Sequence, residues 1–274
     1  MKKSIIILIV SLAAVLPAHA FGFKWKSVPV KAAMTGVTAP TATNADIAIG
    51  TFDGKTYVAP NGRRFKKNTA TAKAAALMLA AQPEMAELKE VVGFCPTGLG
   101  RTRPENVLGQ WMVDIMMEVT EKEVGKKVDI GITNHGGIRI DMPQGDVLKD
   151  DLLSMFPFKN YLCYLTMSGE NVIKLFEDMA DHMQVIGGAT VKIKDGELQE
   201  LLIGGEPVDP ERTYGIASID FILNGGDDVF VARNADSLIQ TDLLIYDAVL
   251  DYVKNLTASG KMIEKVTDNR VVYL

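Results

Sequence analysis

Histidine and cysteine are scarce in this chain of 274 residues, with three of the first and two of the second. His19, His135 and His182 lie too far apart in sequence to form the short-spaced ligand sets that hold zinc or a related metal. Cys95 and Cys163 do not make the disulfide framework of a small secreted domain. The two thiols can pair after export or sit as buried apolar groups, and the hydrophobic stretches around both favour the second. There is no Gly-x-Ser-x-Gly elbow for a nucleophilic serine and no glycine-rich phosphate loop closing on a lysine. Positive charge is not in excess either. A net charge of −5 and a pI near 5.3 argue against a nucleic-acid backbone as partner. An acidic protein can still hold phosphate through a local group of arginines. After the first 20 residues no run is long and apolar enough to cross a bilayer.

What is present begins with a leader. Met1-Lys2-Lys3, the apolar run Ser4–Val10 and the closing Ala18-His19-Ala20 have the layout of a secretory signal peptide over residues 1–20, with cleavage predicted next to Phe21. Residues 21–45 are rich in Ala, Thr, Pro and Val without periodicity and read as a linker or loose arm. Residues 46–274 then read as one domain, and 47% hydrophobic residues argue for a packed core. Phe52-Asp53-Gly54-Lys55 predicts a turn between two short strands. Asn68 is placed to cap an alanine-rich helix from Thr69 to about Gln82, broken at Pro83 and continuing over Glu84–Val92. Leu108, Met112, Ile115, Met116 and Val119 recur at helical spacing. Tyr161–Met167 reads as a strand, and Ser168 caps a helix with Val172, Leu175, Phe176, Met179, Ala180 and Met183 on one side. His182 falls on the polar side of that helix and reads as solvated. Asp195-Gly196 between two alternating runs predicts a hairpin. A strand over Tyr214–Ile219, a helix around Ile245–Leu256 and a closing strand over Arg270–Tyr273 complete a mixed α/β pattern.

Thr133-Asn134-His135-Gly136-Gly137-Ile138-Arg139 carries the densest chemistry. It follows Val128–Ile132, an apolar run with β-branched residues that reads as a buried strand. Paired glycines let backbone approach a ligand closely, successive amides can cradle an anion, and the arginine adds a planar fork of donors. On spacing alone it reads equally well as a tight strand-to-loop turn with a solvated arginine.

The pattern Asn-x-Gly-Gly-Ile-Arg resembles the signature of the C-terminal, substrate-binding domain of the periplasmic and cell-surface 5′-nucleotidases and UDP-sugar hydrolases. Further matches come in the family's order. Arg101-Thr102-Arg103-Pro104-Glu105-Asn106 leads into Leu108-Gly109 like the arginine-bearing segment before the family's first helix. Met155-Phe156-Pro157-Phe158-Lys159-Asn160 is similar to a Pro-Phe-Gly-Asn element. Phe221 stands six residues before Asp227 in Asn224-Gly225-Gly226-Asp227, as in an Asn-Gly-Gly-Asp-Gly element. Lys159 and Asp228 depart from the pattern, each standing where glycine is usual. Asp228 bears on the shape of the last loop.

The resemblance implies an α/β (α+β) layered sandwich with a mixed β-sheet. It implies that Phe158 and Phe221 clamp a nucleobase between two rings. Asn134, Arg139 and Asp227 would surround ribose and base, Arg101 or Arg103 would take the ribose or phosphate side, and Gly136, Gly137, Asn224, Gly225 and Gly226 would form the substrate loops. Taken singly, each phenylalanine reads as core, and it is the set in family order that points to a ligand. Family nucleotidases hydrolyse phosphate esters with two metal ions held in a separate N-terminal domain. This chain has no Asp-x-His or Gly-Asn-His-Glu element to supply such ligands. It therefore reads as the substrate-recognition half without the catalytic half. No cofactor is expected in this chain, divalent metal ions being expected only in a separately encoded metallophosphoesterase partner. The ligand would be a nucleoside, nucleotide or nucleotide sugar, and the protein periplasmic or secreted, with no nucleic-acid partner and no membrane partner after leader removal. The alternative is a stand-alone, non-catalytic binding protein for the same ligands.

Overall fold

The computed structural model describes residues 34–40, 44–104 and 106–274. The predicted leader, its cleavage point and most of residues 21–45 lie outside them. The described residues fall into two compact units, one ending at Leu79 and one running from Ala80 to Leu274. The expected domain start at residue 46 thus lies inside the first unit.

In the first unit a short helix α1 (Ala45–Ile49) precedes an antiparallel meander of β1 (Thr51–Asp53), β2 (Thr56–Val58) and β3 (Arg64–Lys66). The predicted turn joins β1 to β2. Strand alternation puts Phe52, Tyr57 and Phe65 in one cross-strand row, and this row packs with Ala59, Ala72 and Ala75. Ala72 and Ala75 come from α2 (Ala70–Ala81). Its cap is Thr69 and not the expected Asn68: the Thr69 hydroxyl accepts from the Ala72 amide at 3.3 Å.

In the second unit, helix does not resume after Pro83. Apart from a single turn of 3-10 helix at Glu87–Lys89, the chain enters β4 (Val91–Cys95), which pairs antiparallel with β6 (Gly145–Leu148). Val92 and Cys95 point inward while Val91 and Phe94 stay exposed. This β-rich run gains more from the pairing than from continuing a helix. The main sheet has the order β13-β7-β12-β5-β8, built from β5 (Ile130–Thr133), β7 (Tyr161–Ser168), β8 (Val185–Gly187), β12 (Thr213–Ile219) and β13 (Ser237–Leu244). Only β12 and β5 run parallel; the other neighbours are antiparallel. A second sheet is ordered β11-β10-β9-β14, with β9 (Ala189–Lys194) and β10 (Glu197–Ile203) joined at Asp195-Gly196, β11 (Glu206–Pro207) on one edge and β14 (Val271–Tyr273) parallel to β9.

The predicted methionine-rich helix is α3 (Val107–Val124). Its Leu108, Met112, Ile115 and Met116 are almost fully buried against β5, β7, β8 and β12. The helix α4 (Lys149–Met155) follows β6. The Ser168-capped helix α5 (Gly169–Asp178) packs on β7, β12 and β10, and α6 (Ile245–Ala258) packs on β4 and α3. Strand β5 is buried along its whole length and β12 at all but its first residue, as strands covered on both faces are. The architecture is the expected mixed-sheet α/β sandwich. Cys95 and Cys163 are free thiols with no exposed surface, and burial pushes the Cys163 thiol up to about 12.

Candidate functional site

The parallel pair β5–β12 decides where loops meet. In open sheets the carboxyl ends of adjacent parallel strands open a crevice. Here β5 releases the Asn134–Arg139 turn, and β12 releases Phe221 and the Asn224–Asp227 loop at the same end. Strand β7 runs antiparallel to β12, with Leu162 opposite Ile219, so the segment carrying Phe158 enters β7 beside them.

Two adjoining clefts result. The first, about 200 Å³, is lined by Asn134, Gly136, Gly137, Arg139, Phe158, Asn160, Phe221 and Asp227. Phe158 and Phe221 are 46% and 47% exposed, which excludes the core role each would have on sequence alone. Between the two loops the buried Asn134 donates from Nδ2 to Asp227 Oδ2 at 2.7 Å, and Asn134 Oδ1 is buried without a partner among the described residues. Gly136 makes that pair possible: a Cβ there would sit 2.8 Å from Asp227 Oδ2. Gly226 is equally constrained, since a Cβ would meet the Phe221 carbonyl oxygen at 2.2 Å. Asp227 and Asp228 both adopt left-handed backbone, with φ of 50° and 60°. Asp228, which stands where glycine is usual in the motif, therefore takes the left-handed conformation that glycine adopts without strain.

The second cleft, about 390 Å³, shares Gly136 and Arg139 with the first and adds Arg101, Thr102, Arg103, Asn106, His135, Ile138 and Asp141. Its arginines are held differently. Arg101 donates from Nε to Asp141 at 3.0 Å and from Nη1 to the Ile138 carbonyl at 2.9 Å. Arg139 donates to the Gly136 carbonyl at 3.0 Å and lies 5.8 Å from the Phe158 ring centre. Arg103 has no hydrogen-bond or ion-pair partner among the described residues. Three guanidiniums against one carboxylate leave the cleft cationic inside an acidic unit, as an oxyanion site requires.

His135 ties the two arginine-bearing segments together. Asn106 caps α3 by accepting from the Gly109 amide at 2.8 Å, and its Nδ2 lies 2.9 Å from His135 Nδ1. That bond needs an unprotonated Nδ1. Burial, with the Arg103 charge adding to it, pushes His135 from 6.5 to about 4, so the imidazole is neutral at pH 7. The His135 amide donates to Gln184 at 3.1 Å, fastening the turn to the residue before β8. His182 is not simply solvated: it follows α5 in a separate turn, pairs with Asp181, and its Nε2 is buried without a partner among the described residues.

Of the residues singled out in the sequence, Arg101, Arg103, Asn134, Gly136, Gly137, Arg139, Phe158, Phe221 and Asp227 line these clefts. Asn224, Gly225 and Gly226 line neither; they shape the loop that carries Asp227. Sequence reasoning passed over Asn106, Asp141 and Asn160. Asn106 and Asn160 stand inside segments that carry the resemblance and were open to nomination. Asp141 has no sequence signal, because the fold alone brings it to Arg101 across 40 positions.

The family model described as "5′-nucleotidase, C-terminal domain" matches residues 85–233. The chain belongs to this family. Among curated 5′-nucleotidase-family relatives, protein UshA of Escherichia coli is 32% identical over 133 residues, which are 46% of this chain and 24% of that protein. A 5′-nucleotidase of Vibrio cholerae is 25% identical over 134 residues, covering 47% of this chain and 24% of its own length. The chain thus spans about a quarter of the length of these relatives. Among solved structures, a 5′-nucleotidase precursor from Thermus thermophilus superposes with a TM-score of 0.64 at 25% identity, covering 74% of this chain and 43% of that one. The part of the Thermus protein that superposes therefore shares this fold.

Proposed function

We propose that this chain is an exported nucleotide- or nucleoside-recognising domain that supplies substrate binding to a separately encoded metallophosphoesterase. One observation carries the recognition: two half-exposed phenylalanines line the same cleft as the Asn134–Asp227 pair, beside a cationic cleft. Aromatic rings stack on any base, a carboxylate accepts from the two ribose hydroxyls, and arginines take oxygen-rich groups. Family membership and the nucleotidases among its relatives support the same reading.

The two metal ions used by whole nucleotidases do not fit the donors here. Among the described residues no group of three or more His, Cys, Asp or Glu converges as a metal site requires. His135, the imidazole nearest the clefts, has Nδ1 committed to Asn106. On this reading the metal chemistry belongs to the partner. The basic n-region, the apolar run and the Ala-x-Ala site support export.

Calorimetry with the exported chain against a panel of nucleosides and nucleotides tests the reading. Saturable binding of both purine and pyrimidine ligands is expected, tighter when a phosphate is present. Failure of every ligand to bind overturns it. Phosphate release that appears only when the metallophosphoesterase is added supports the split enzyme. Tight binding with no such activity moves the assignment to a stand-alone binding protein.

A further inference from the structure

Helices α3 and α6 pack on one another, and a third cleft of about 190 Å³ opens between them, sharing no lining residue with the two above. From α3 it takes Trp111, Asp114, Ile115 and Glu118, which recur at helical spacing and so share one face of the helix. Tyr252 and Leu256, one turn apart, come from α6, and Met262, Glu264 and Lys265 come from the segment that follows it. The Trp111 and Tyr252 rings meet edge to face, with centres 6.5 Å apart and planes at 81°, so the two aromatic surfaces stand nearly at a right angle.

The charges of this cleft do not balance. Asp114 is matched twice, by Lys265 at 2.8 Å and by Arg270 at 2.7 Å, and Lys265 also engages Asp268. Glu118 and Glu264 are exposed and have no hydrogen bond or ion pair among the described residues. The Tyr252 phenol registers the excess: burial, with the charges of Glu118 and Asp114 adding to it, pushes it above its ordinary value.

A hard metal ion needs several oxygen ligands at once, and among the described residues no group of three acids, histidines or thiols converges. The cleft is also smaller than the roughly 300 Å³ at which sites for drug-sized molecules begin, and its charge repels a phosphate. What suits two free carboxylates beside aromatic and aliphatic walls is a cation with apolar surface of its own, drawn by ring faces as well as by charge. We propose that this cleft binds an organic ammonium ion, an amine head on a short apolar stem. Glu118 and Glu264 take the head, and Tyr252, Leu256 and Met262 receive the stem.

Calorimetry of the full chain with butylammonium chloride tests the proposal. Saturable binding is expected, weakening in high salt, with no binding of the uncharged butanol or the anionic butanoate. A Glu118→Gln/Glu264→Gln variant, altered only at exposed positions, should bind roughly five-fold more weakly. Tyr252→Leu should lose about two- to five-fold, and Tyr252→Phe, which keeps the ring, should restore the affinity. Tighter binding of a blocked lysine than of butylammonium would assign the natural head to a protein side chain, and weaker binding to a free amine; both uphold the site. No binding of butylammonium, equal binding of butanol, or unchanged affinity in the double glutamine variant overturns it. Because this cleft and the nucleotide clefts share no residue, loss of one kind of binding leaves the other standing.

Discussion

The aromatic cleft and the cationic cleft share Gly136 and Arg139, yet they are prepared for a ligand in different ways. The aromatic cleft is unfilled surface. Phe158 and Phe221 leave nearly half their area in water, and in the same cleft the pair Asn134 and Asp227 is fixed. The cationic cleft is already wired: Arg101 is held by Asp141 and a carbonyl and Arg139 by a carbonyl and a ring, whereas Arg103 has no such restraint among the described residues. An apolar surface costs little to leave open and gains on stacking. Charges next to one another need internal partners to be held in place before an anion arrives. On the proposed function, the first cleft would contribute base-independent affinity, and the second would discriminate by what the ligand carries beyond its base.

That contrast can be broken most directly at the rings. The Phe158→Ala and Phe221→Ala variants should each lose roughly 1–3 kcal/mol of nucleoside affinity, similar for purines and pyrimidines, and the double variant more. Their exposure predicts little change in unfolding temperature, whereas truncating a core phenylalanine costs about 3–5 kcal/mol of stability. Calorimetry and thermal unfolding on the same proteins separate the two, and large stability losses with unchanged affinity would place the rings in the core.

Arg103 sharpens the comparison from the other side. Arg103→Ala should weaken phosphorylated ligands by about 1.5–3 kcal/mol, the range for hydrogen bonds to charged groups, and leave the parent nucleosides unchanged. Equal losses for AMP and adenosine would show that the two clefts do not divide the ligand as described.

Acid titration probes the joint between the clefts. His135 has a folded value near 4 against an ordinary 6.5, so between these the unfolded chain binds the extra proton. Stability should therefore be complete above pH 6.5 and fall as the pH drops towards 4. Guanidinium-melting curves across this window should be flatter for His135→Gln than for the wild type, and parallel curves would count against the assignment.

The smallest effect is expected at Asp228. With φ at 60°, Asp228→Gly relieves left-handed strain of about 1–2 kcal/mol, partly offset by the greater unfolded-state freedom of glycine. A net stabilisation of up to about 1 kcal/mol should appear in denaturant melts, with ligand affinity unaltered.

The readability of these features in the sequence differs for physical reasons. Helix α3 and the Asp195-Gly196 hairpin are local objects, fixed by a 3.6-residue stripe and by two residues that accept positive φ. Strand β4 is not. Val91–Cys95 follows an alanine-rich helix and becomes a strand only because β6, some fifty positions on, pairs with it. Strand β13 was passed over in the same way. Its Leu243 and Leu244 merge with the apolar face of α6, and its pairing partner β7 is distant in sequence. In the site, glycines and phenylalanines stand in fixed motifs and could be nominated. The Arg101–Asp141 pair and the committed state of His135 exist only after the chain has folded.

The bond between Asn134 and Asp227 joins positions 93 residues apart. The aromatic cleft has no local precursor: its walls come from three loops that meet only once β5, β7 and β12 have been brought into register. A nucleotide seated there acts as a non-local staple, binding the assembled sheet and nothing that precedes it. At a hundred times its dissociation constant, such a ligand adds about 2.7 kcal/mol to the folded state. The midpoint of thermal unfolding then becomes a gauge of occupancy, readable in a crude extract and independent of any turnover.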